Sequence, residues 1–158
     1  MRKLICFMLI LGILVLSAGC FNISSMPFNG DITFHDIALT VPEKFIRDST
    51  QSNDDQWIFE YHNYAEYIIL VRSEIGQQNA EEFLKTYQNS MAEVGTSELI
   101  TFQGKAAVHS SYTKDGISCN ELFFPYQDAF YAIALRGASD ADFQQLIGSV
   151  SLIPPVET

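Results

Sequence analysis

Short connections between apolar segments constrain the fold of this chain more than any other feature of its sequence. Between residues 99 and 135, segments of strand character follow one another, and Gln103-Gly104-Lys105 and Lys114-Asp115-Gly116 are two of the turns between them. Because connections this short join antiparallel neighbours, the segments are predicted to form a meander. The predicted strands are Leu99–Phe102, Ala106–Thr113, Ile117–Phe124 and Ala129–Leu135.

The first half of the chain carries further strands. Apolar alternation predicts short strands at 32–34 and 37–41, and its change of phase at His35-Asp36 predicts a turn or bulge between them. The aromatic segment Trp57–Tyr61 and the apolar segment Tyr67–Val71 are predicted to form a hairpin in the middle of the sheet.

Two amphipathic helices complete the pattern. Asn79–Val94 begins with a capping residue and acidic side chains, carries one apolar stripe and ends before Gly95. Ser139–Val150 carries a second stripe, with Asp142 placed for a capping box. Two helices beside strands that need covering predict a single α+β domain at 31–153, a mainly antiparallel sheet packed with two helices, followed by a tail at 154–158.

The order of these elements, together with the segment Ile37–Phe45, resembles the Mog1/PsbP-type domain. In that family the first strand typically ends in proline, here Pro42, and a bulky aromatic residue, here Phe45, follows shortly after. The resemblance covers about Asp31 to Ile153. It implies an extracytoplasmic domain that acts by binding or by supporting a larger assembly, without catalysis.

The first nineteen residues have the layout of a cleaved signal helix. Arg2 and Lys3 precede the apolar run Leu4–Leu16, and the small residues Ser17-Ala18-Gly19 follow it. A membrane-spanning helix needs about 20 apolar residues, and this run is shorter. Residues 1–19 are therefore predicted to be a signal peptide that directs export.

The residue after this leader is a cysteine. Leu16-Ser17-Ala18-Gly19-Cys20 resembles the lipobox of bacterial lipoproteins, with Ser17 where leucine is more common. The resemblance implies that the Cys20 sulfur receives a diacylglyceryl group and that its new amine is acylated after cleavage, with no other cofactor. Several acyl chains give stable anchoring. Residues 20–30 are then a lipidated cysteine and flexible tether, and the domain lies on the extracytoplasmic face of the cell membrane.

The charge of the chain limits its partners. It has 9 Lys and Arg against 19 Asp and Glu, a net charge of −10. Removal of Arg2 and Lys3 with the leader leaves 7 against 19, a net charge of −12. Phosphate backbones and anionic headgroups repel such a surface, so nucleic acid is excluded as a partner and the membrane is contacted through the lipid.

The sequence predicts no catalytic site and no metal site. Phosphate loops, nucleophile elbows and His-Glu-x-x-His pairs are absent from it. His35, His62 and His109 are widely spaced, and the acidic loop Asp48–Gln56 lacks the pattern of a calcium loop, so it is predicted to lie in solvent. Cys119 is expected to be a small buried hydrophobe, with a reactive thiol as the alternative.

One group of residues is a candidate partner-binding patch. Aromatic residues and a histidine surround the hairpin turn that follows Trp57, and they suit a protein or glycan partner in the envelope. The alternative is that Trp57, Tyr61 and Tyr67 are cross-strand pairs packed over the core, and this alternative is favoured for Trp57 and Tyr61. The residues of the candidate patch are Trp57, Tyr61, His62, Tyr64 and Tyr67.

Three classes of function follow from these features. The preferred class is a membrane-tethered binding or assembly-support module that is not an enzyme. The second is an envelope enzyme, which requires a cleft that gathers a histidine with carboxylates or with Ser118 and Cys119. The third is a small-ligand or metal carrier, which requires a cavity between sheet and helices.

Overall fold

The meander predicted from the short connections is present and belongs to a larger antiparallel sheet. The computed structural model describes residues 30–61, 65–74 and 80–155, and its elements confirm the α+β class. The strands are β1 (Gly30–Phe34), β2 (Ile37–Val41), β3 (Ile46–Arg47), β4 (Gln56–Tyr61), β5 (Glu66–Ser73), β6 (Gly95–Phe102), β7 (Lys105–Lys114), β8 (Ile117–Tyr126), β9 (Ala129–Arg136) and β10 (Ser151–Leu152). The helices are α1 (Ala80–Ala92) and α2 (Asp140–Gly148).

Among the described residues, seven strands form the main sheet in the order β3-β4-β5-β9-β8-β7-β6. The predicted hairpin is β4-β5, and β5 is interior because it pairs with β4 on one side and β9 on the other. α1 ends before Gly95, as predicted, and β6 begins at Gly95. A Cβ at this position would lie 2.2 Å from the Ser111 carbonyl oxygen of β7, which only glycine avoids.

The first two strands lie in a separate sheet. β1 and β2 form a hairpin across the predicted turn, where His35 has φ 54°, and β10 pairs with the other side of β2. The sequence predicted short strands here but not that they leave the main sheet. Together with α2, this small sheet covers one face of the main sheet.

The main sheet therefore has two distinct faces. The small-sheet face buries Phe34, Phe124 and Tyr131 with Phe143 of α2. The α1 face buries Phe123 and Phe130 against α1. Each fully buried aromatic side chain of this kind stabilises the fold by about 1.5 to 3 kcal/mol.

The two helices match their predicted patterns with one exception. Leu84, Tyr87 and Met91 of the predicted apolar stripe are buried in α1, as expected. The stripe was also predicted to include Val94, which is wrong, since α1 ends at Ala92 and Val94 is 57% exposed. In α2 the predicted capping box is present: the Asp142 amide donates to Ser139 Oγ at 3.2 Å, and the Ser139 amide donates to Asp142 Oδ2 at 3.2 Å.

Several predictions fall outside the described residues. They are the signal peptide, Cys20 and most of its tether, His62 and Tyr64 of the candidate patch, the Asn79 cap and residues 156–158. In the part of the chain that the structure describes, neither helix is long and apolar enough to cross a membrane.

Candidate functional site

The strand register defines two ends of the domain. Gly30, where the described chain starts, pairs with Val41, and the chain then leads through Lys44 to Ile46, which pairs with Glu60. We call this the proximal end; it also holds the Lys44–Glu66 ion pair, whose Nζ and Oε2 lie 2.6 Å apart. The opposite, distal end holds the turns at 35–36 and 127–128.

The sheet separates the described residues of the candidate patch. Trp57 and Tyr61 lie on the small-sheet face and pack against its core. Tyr67 pairs with Glu60, not with Tyr61, and partners across an antiparallel pair share a face. Tyr67 therefore lies on the α1 face, away from the other two side chains.

Trp57 is enclosed by neighbours on the small-sheet face. Its ring lies 5.2 Å from that of Phe34 and 6.4 Å from that of Phe59, both near edge-to-face geometry. The Arg47 guanidinium lies 3.8 Å from the ring centroid, and burial lowers the Arg47 pKa. Trp57 thus has the surroundings of a packed cross-strand residue, with the Arg47 guanidinium over its ring.

Tyr61 lies at the proximal end of the same face. Its ring packs on Phe45 at 6.0 Å, and Lys44 Nζ lies 5.0 Å from the Tyr61 ring centroid and 5.2 Å from that of Phe45. Lys44 therefore covers two aromatic rings while it pairs with Glu66. The proximal end thus exposes a cation above packed aromatic residues.

A charged cluster around Arg72 occupies the distal end. The Arg72 side chain is only 11% exposed, and its guanidinium lies 2.7 Å from Glu74, 3.3 Å from Asp128 and 3.6 Å from Asp55. The hydrogen bond to Glu74 is the largest cause that raises the Arg72 pKa. The three carboxylates are 62 to 77% exposed, so the cation is interior and the acids face solvent.

Two further contacts join this cluster to the small sheet. The Tyr131 hydroxyl donates to Asp36 Oδ2 at 2.7 Å, and burial, followed by the Asp36 contact, raises the pKa of Tyr131 to about 12. His35 Nε2 lies 2.6 Å from the Asp54 carbonyl oxygen and 3.7 Å from an Asp55 oxygen. We call the whole set the distal cluster: Arg72, Asp36, Asp55, Glu74, Asp128, Tyr131 and His35. The distal cluster holds four carboxylates and one guanidinium and is therefore negative, which favours cationic partners and disfavours anionic ones.

The polar loop before β4 is organised by a buried aspartate. Asp48 is only 2% exposed, so the prediction that the whole loop lies in solvent is wrong at this residue. Its Oδ1 accepts from the Thr50 amide at 2.8 Å and the Thr50 hydroxyl at 2.6 Å, and its Oδ2 accepts from Gln51 Nε2 at 2.7 Å. Burial alone would raise the Asp48 pKa, but these hydrogen bonds outweigh it and lower the pKa. The Asp-x-Thr spacing is the sequence signal that could have predicted these local hydrogen bonds.

A second buried acid lies on the α1 face and was missed by the sequence analysis. Glu121 is 1% exposed, and its carboxyl group contacts the hydroxyls of Tyr87 from α1 and Tyr112 from β7, the latter at 3.3 Å. Burial raises the Glu121 pKa, and the tyrosine hydrogen bonds oppose it. A glutamate beside Leu122, Phe123 and Phe124 was the only sequence signal.

Each histidine in the described ranges lies near a carboxylate, His35 at 3.7 Å from Asp55 and His109 at 3.5 Å from Glu98, but the two histidines lie apart. His35 lies at the distal end, whereas His109 stacks on Phe143 at 5.4 Å on the small-sheet face. Cys119 is 5% exposed on the α1 face, and burial raises its pKa, as expected for a buried hydrophobe. No group of three or more His, Cys, Asp or Glu within the described ranges is placed to hold a metal ion.

Comparison with known proteins gives structural similarity only. No known family model matches the chain, and no curated protein sequence is significantly similar to it. A crystal structure from Bacteroides thetaiotaomicron matches with a TM-score of 0.59 at 7% identity over 84% of this chain, which spans 51% of that one. This likeness supports the fold and carries no function.

Two further solved structures are less similar. The cyanobacterial PsbP protein CyanoP from Synechocystis matches with a TM-score of 0.47 at 15% identity, over 87% of this chain and 98% of its own. LpqN from Mycobacterium tuberculosis, described as involved in cell envelope biogenesis, matches with a TM-score of 0.38 at 16% identity, over 75% of this chain and 83% of its own. A PsbP protein is thus among the similar structures, but likeness at this level does not establish a family.

Proposed function

We propose that this protein is a membrane-anchored extracytoplasmic lipoprotein whose domain binds a partner in the envelope or supports an assembly there, without catalysis. One observation carries the proposal: an apolar leader ends in the lipobox-like Leu16–Cys20, and the first strand of the domain begins ten positions later, at Gly30. A flexible spacer of this length spans about 15 to 20 Å, enough to hold a small domain clear of the headgroups.

The contacts of three side chains with shifted pKa values support the proposal that the protein is not an enzyme. Asp48, Arg72 and Glu121 are buried or nearly so, and each is hydrogen-bonded or paired with groups of the same domain. A catalytic group needs an unfilled position where a substrate atom can approach. Through these contacts the three side chains hold loops, strands and α1 together.

The direction of the tether supports a partner at the distal end. The chain enters the domain at the proximal end, so an anchor at Cys20 turns that end to the membrane and the distal cluster away from it. The exposed carboxylates of Asp55, Glu74 and Asp128 then face the surroundings. We expect a partner with a cationic surface, because it complements these acids.

Metabolic labelling with a fatty acid tests the anchor. The wild-type chain is expected to incorporate label and to fractionate with the membrane, and Cys20→Ala is expected to lose both properties. Cys119→Ala is the matched control, since it removes a buried thiol and leaves the leader intact. Equal labelling of the Cys20→Ala and wild-type chains would refute the lipid attachment.

Site-specific photocrosslinking tests the binding role. A crosslinker at position 128, at the distal end, is expected to capture a distinct envelope protein. The same group at position 115, where Asp115 is similarly exposed and lies near Arg136 at the proximal end, is expected to capture much less. A bound small molecule without any crosslinked protein would instead favour the carrier hypothesis.

A further inference from the structure

The two edges of the main sheet differ in length and exposure. The β3 edge has two residues, whereas β6 runs for eight, from Gly95 to Phe102. Within the described ranges, β6 pairs only with β7, so its outer side has no strand partner. An edge strand presents the backbone N–H and C=O groups of alternate residues, which are a template for another strand.

The side chains of β6 give this edge little protection. Natural edges are often protected by Lys, Pro or a bulge, but β6 contains neither of these residues and only one charge, Glu98. Gln88 of α1 donates from Nε2 to the Ser97 carbonyl oxygen at 3.3 Å, which occupies one backbone group in the first half of the strand. Leu99 in the second half is 51% exposed.

We propose that the segment Glu98–Phe102 of β6 pairs with an extended segment of a partner protein in which basic and apolar residues alternate. The backbone groups of the edge supply the hydrogen bonds, as in other cases of strand addition. The alternation follows from the two faces of the sheet, since successive side chains of an added strand point to opposite faces.

The apolar residues of the partner segment are inferred from the side chains that line up across neighbouring strands on one face of the sheet. One row crosses the α1 face along Val71, Ala132, Phe123, Val108 and Leu99, each paired with the next in register. Val108 is fully buried, while Leu99 at the end of the row is half exposed. An apolar side chain beside Leu99 extends this row by one residue and removes the exposed leucine from water.

The basic part follows from charge. Glu98 lies on the small-sheet face, beside His109, with its side chain 69% exposed. A basic residue beside it makes a favourable cross-strand pair, and the net charge of −10 attracts a basic segment and repels an acidic one.

A second copy of this chain is not expected to pair with the same edge if both copies carry the proposed anchor, so this exclusion rests on the proposed function. Antiparallel pairing of two β6 strands places the proximal end of one copy beside the distal end of the other. Their tethers would then leave in opposite directions, although both must reach one membrane. Parallel pairing avoids this conflict but is less stable per residue and still brings two acidic chains together.

Peptide binding to the full-length chain in detergent micelles tests the pairing. The probe is an acetylated and amidated peptide of about seven residues that alternates lysine with valine. We expect binding by fluorescence anisotropy, together with slower amide hydrogen exchange in β6. The same peptide with a central proline, or with glutamate in place of lysine, is expected to bind at least about tenfold more weakly.

Two variants with the same change of charge test whether the peptide binds at the β6 edge. Glu98→Lys is expected to weaken binding of the lysine–valine peptide by about tenfold or more, whereas Glu93→Lys, in the exposed turn after α1, changes it by less than about twofold. Leu99→Lys is a second edge variant, and thermal unfolding of each variant checks that it is folded.

Four results would overturn the proposal: no binding of the lysine–valine peptide, equal weakening by both glutamate variants, equal binding of the proline peptide, or slower exchange at the distal cluster in place of β6. Slow exchange in β6 that depends on protein concentration without peptide would assign the edge to a second copy. Fatty-acid labelling fails or succeeds independently of this binding, so failure of the anchor is distinguishable from failure of the edge.

Discussion

The two faces of the main sheet both bury aromatic side chains, but they differ in where carboxyl groups are buried. On the small-sheet face, the Phe124 ring stacks on Tyr131 and contacts the Phe102 ring at a tilted angle. On the α1 face, Phe123 stacks on Tyr87 at 4.2 Å, and the next residue on that face of β8 is the buried Glu121. Burial raises the pKa of Glu60, which also lies on the α1 face, and the nearby Asp48 carboxylate raises it further.

This difference separates two kinds of stabilisation. The small-sheet face is covered by the small sheet and α2 and depends on the burial of apolar surface, which is insensitive to pH. The α1 face adds buried carboxyl groups whose contribution depends on their protonation. We therefore expect the faces to respond alike to loss of an aromatic ring and differently to a change of pH.

Phe123→Ala and Phe124→Ala provide the largest test of this comparison. The two residues are neighbours on β8, are 1% and 0% exposed, and face opposite sides of the sheet. Each substitution is expected to lower the free energy of unfolding by about 3 to 5 kcal/mol, because each leaves a large cavity. Urea denaturation measures both, and a cost below about 1 kcal/mol for either residue would contradict equal packing of the faces.

Asp48→Ala is expected to have the next largest effect. It leaves the Thr50 and Gln51 donors without their acceptor and should cost about 1 to 3 kcal/mol in urea denaturation. Asp54→Ala in the same loop removes an exposed carboxylate and should cost less than about 0.5 kcal/mol. Because the folded pKa of Asp48 is lowered, its contribution is present above the ordinary aspartate pKa of about 3.9 and is lost as pH falls through the folded value. Equal costs of the two substitutions would show that Asp48 does not organise the loop.

Glu121→Gln tests whether the stability contributed by the α1 face depends on pH. Burial raises the folded pKa of Glu121, so its contribution is complete below the ordinary glutamate pKa of about 4.3 and is lost as pH rises through the folded value. Relative to Glu121→Gln, the wild type should lose stability as pH rises. The loss is about 1.4 kcal/mol for each unit by which the folded-state pKa of Glu121 exceeds its unfolded-state pKa. Denaturation midpoints of both proteins across this range measure the effect, and parallel curves would show that Glu121 does not titrate with folding.

Ser139→Ala is expected to have the smallest effect. It removes the N-cap of α2, whose Phe143 and Leu146 pack on the small-sheet face, and should cost about 1 kcal/mol. Ser139→Asn is the matched control, since asparagine is an equally good cap, and its cost should be close to zero. If both variants unfold at the same urea concentration as the wild type, the capping box does not contribute to this face.

Much of the fold could be predicted because it follows from local patterns. The Ser139–Asp142 capping box, the stripe of Leu84, Tyr87 and Met91, and the turn at 115–116 are each written within a few residues. The candidate patch could be predicted less well. Trp57, Tyr61 and Tyr67 are all odd positions, but the hairpin pairs Tyr61 with Glu66 and Glu60 with Tyr67, which moves Tyr67 to the other face. The register of a hairpin depends on its turn, which alternation within each strand does not reveal.

The sequence by itself determined the antiparallel order of the second half, the two helices and the boundaries of the strands to within a few residues, because connection length and side-chain periodicity are local properties. Only the tertiary structure decided that β1 and β2 form their own sheet, that Asp48 and Glu121 are buried, and that Arg72 meets Asp55 and Asp128. The Arg72–Asp128 contact joins residues far apart in the chain, and it forms where β5 and β9 pair. No neighbouring residue specifies such a contact, since it depends on the free energy of the whole packed domain.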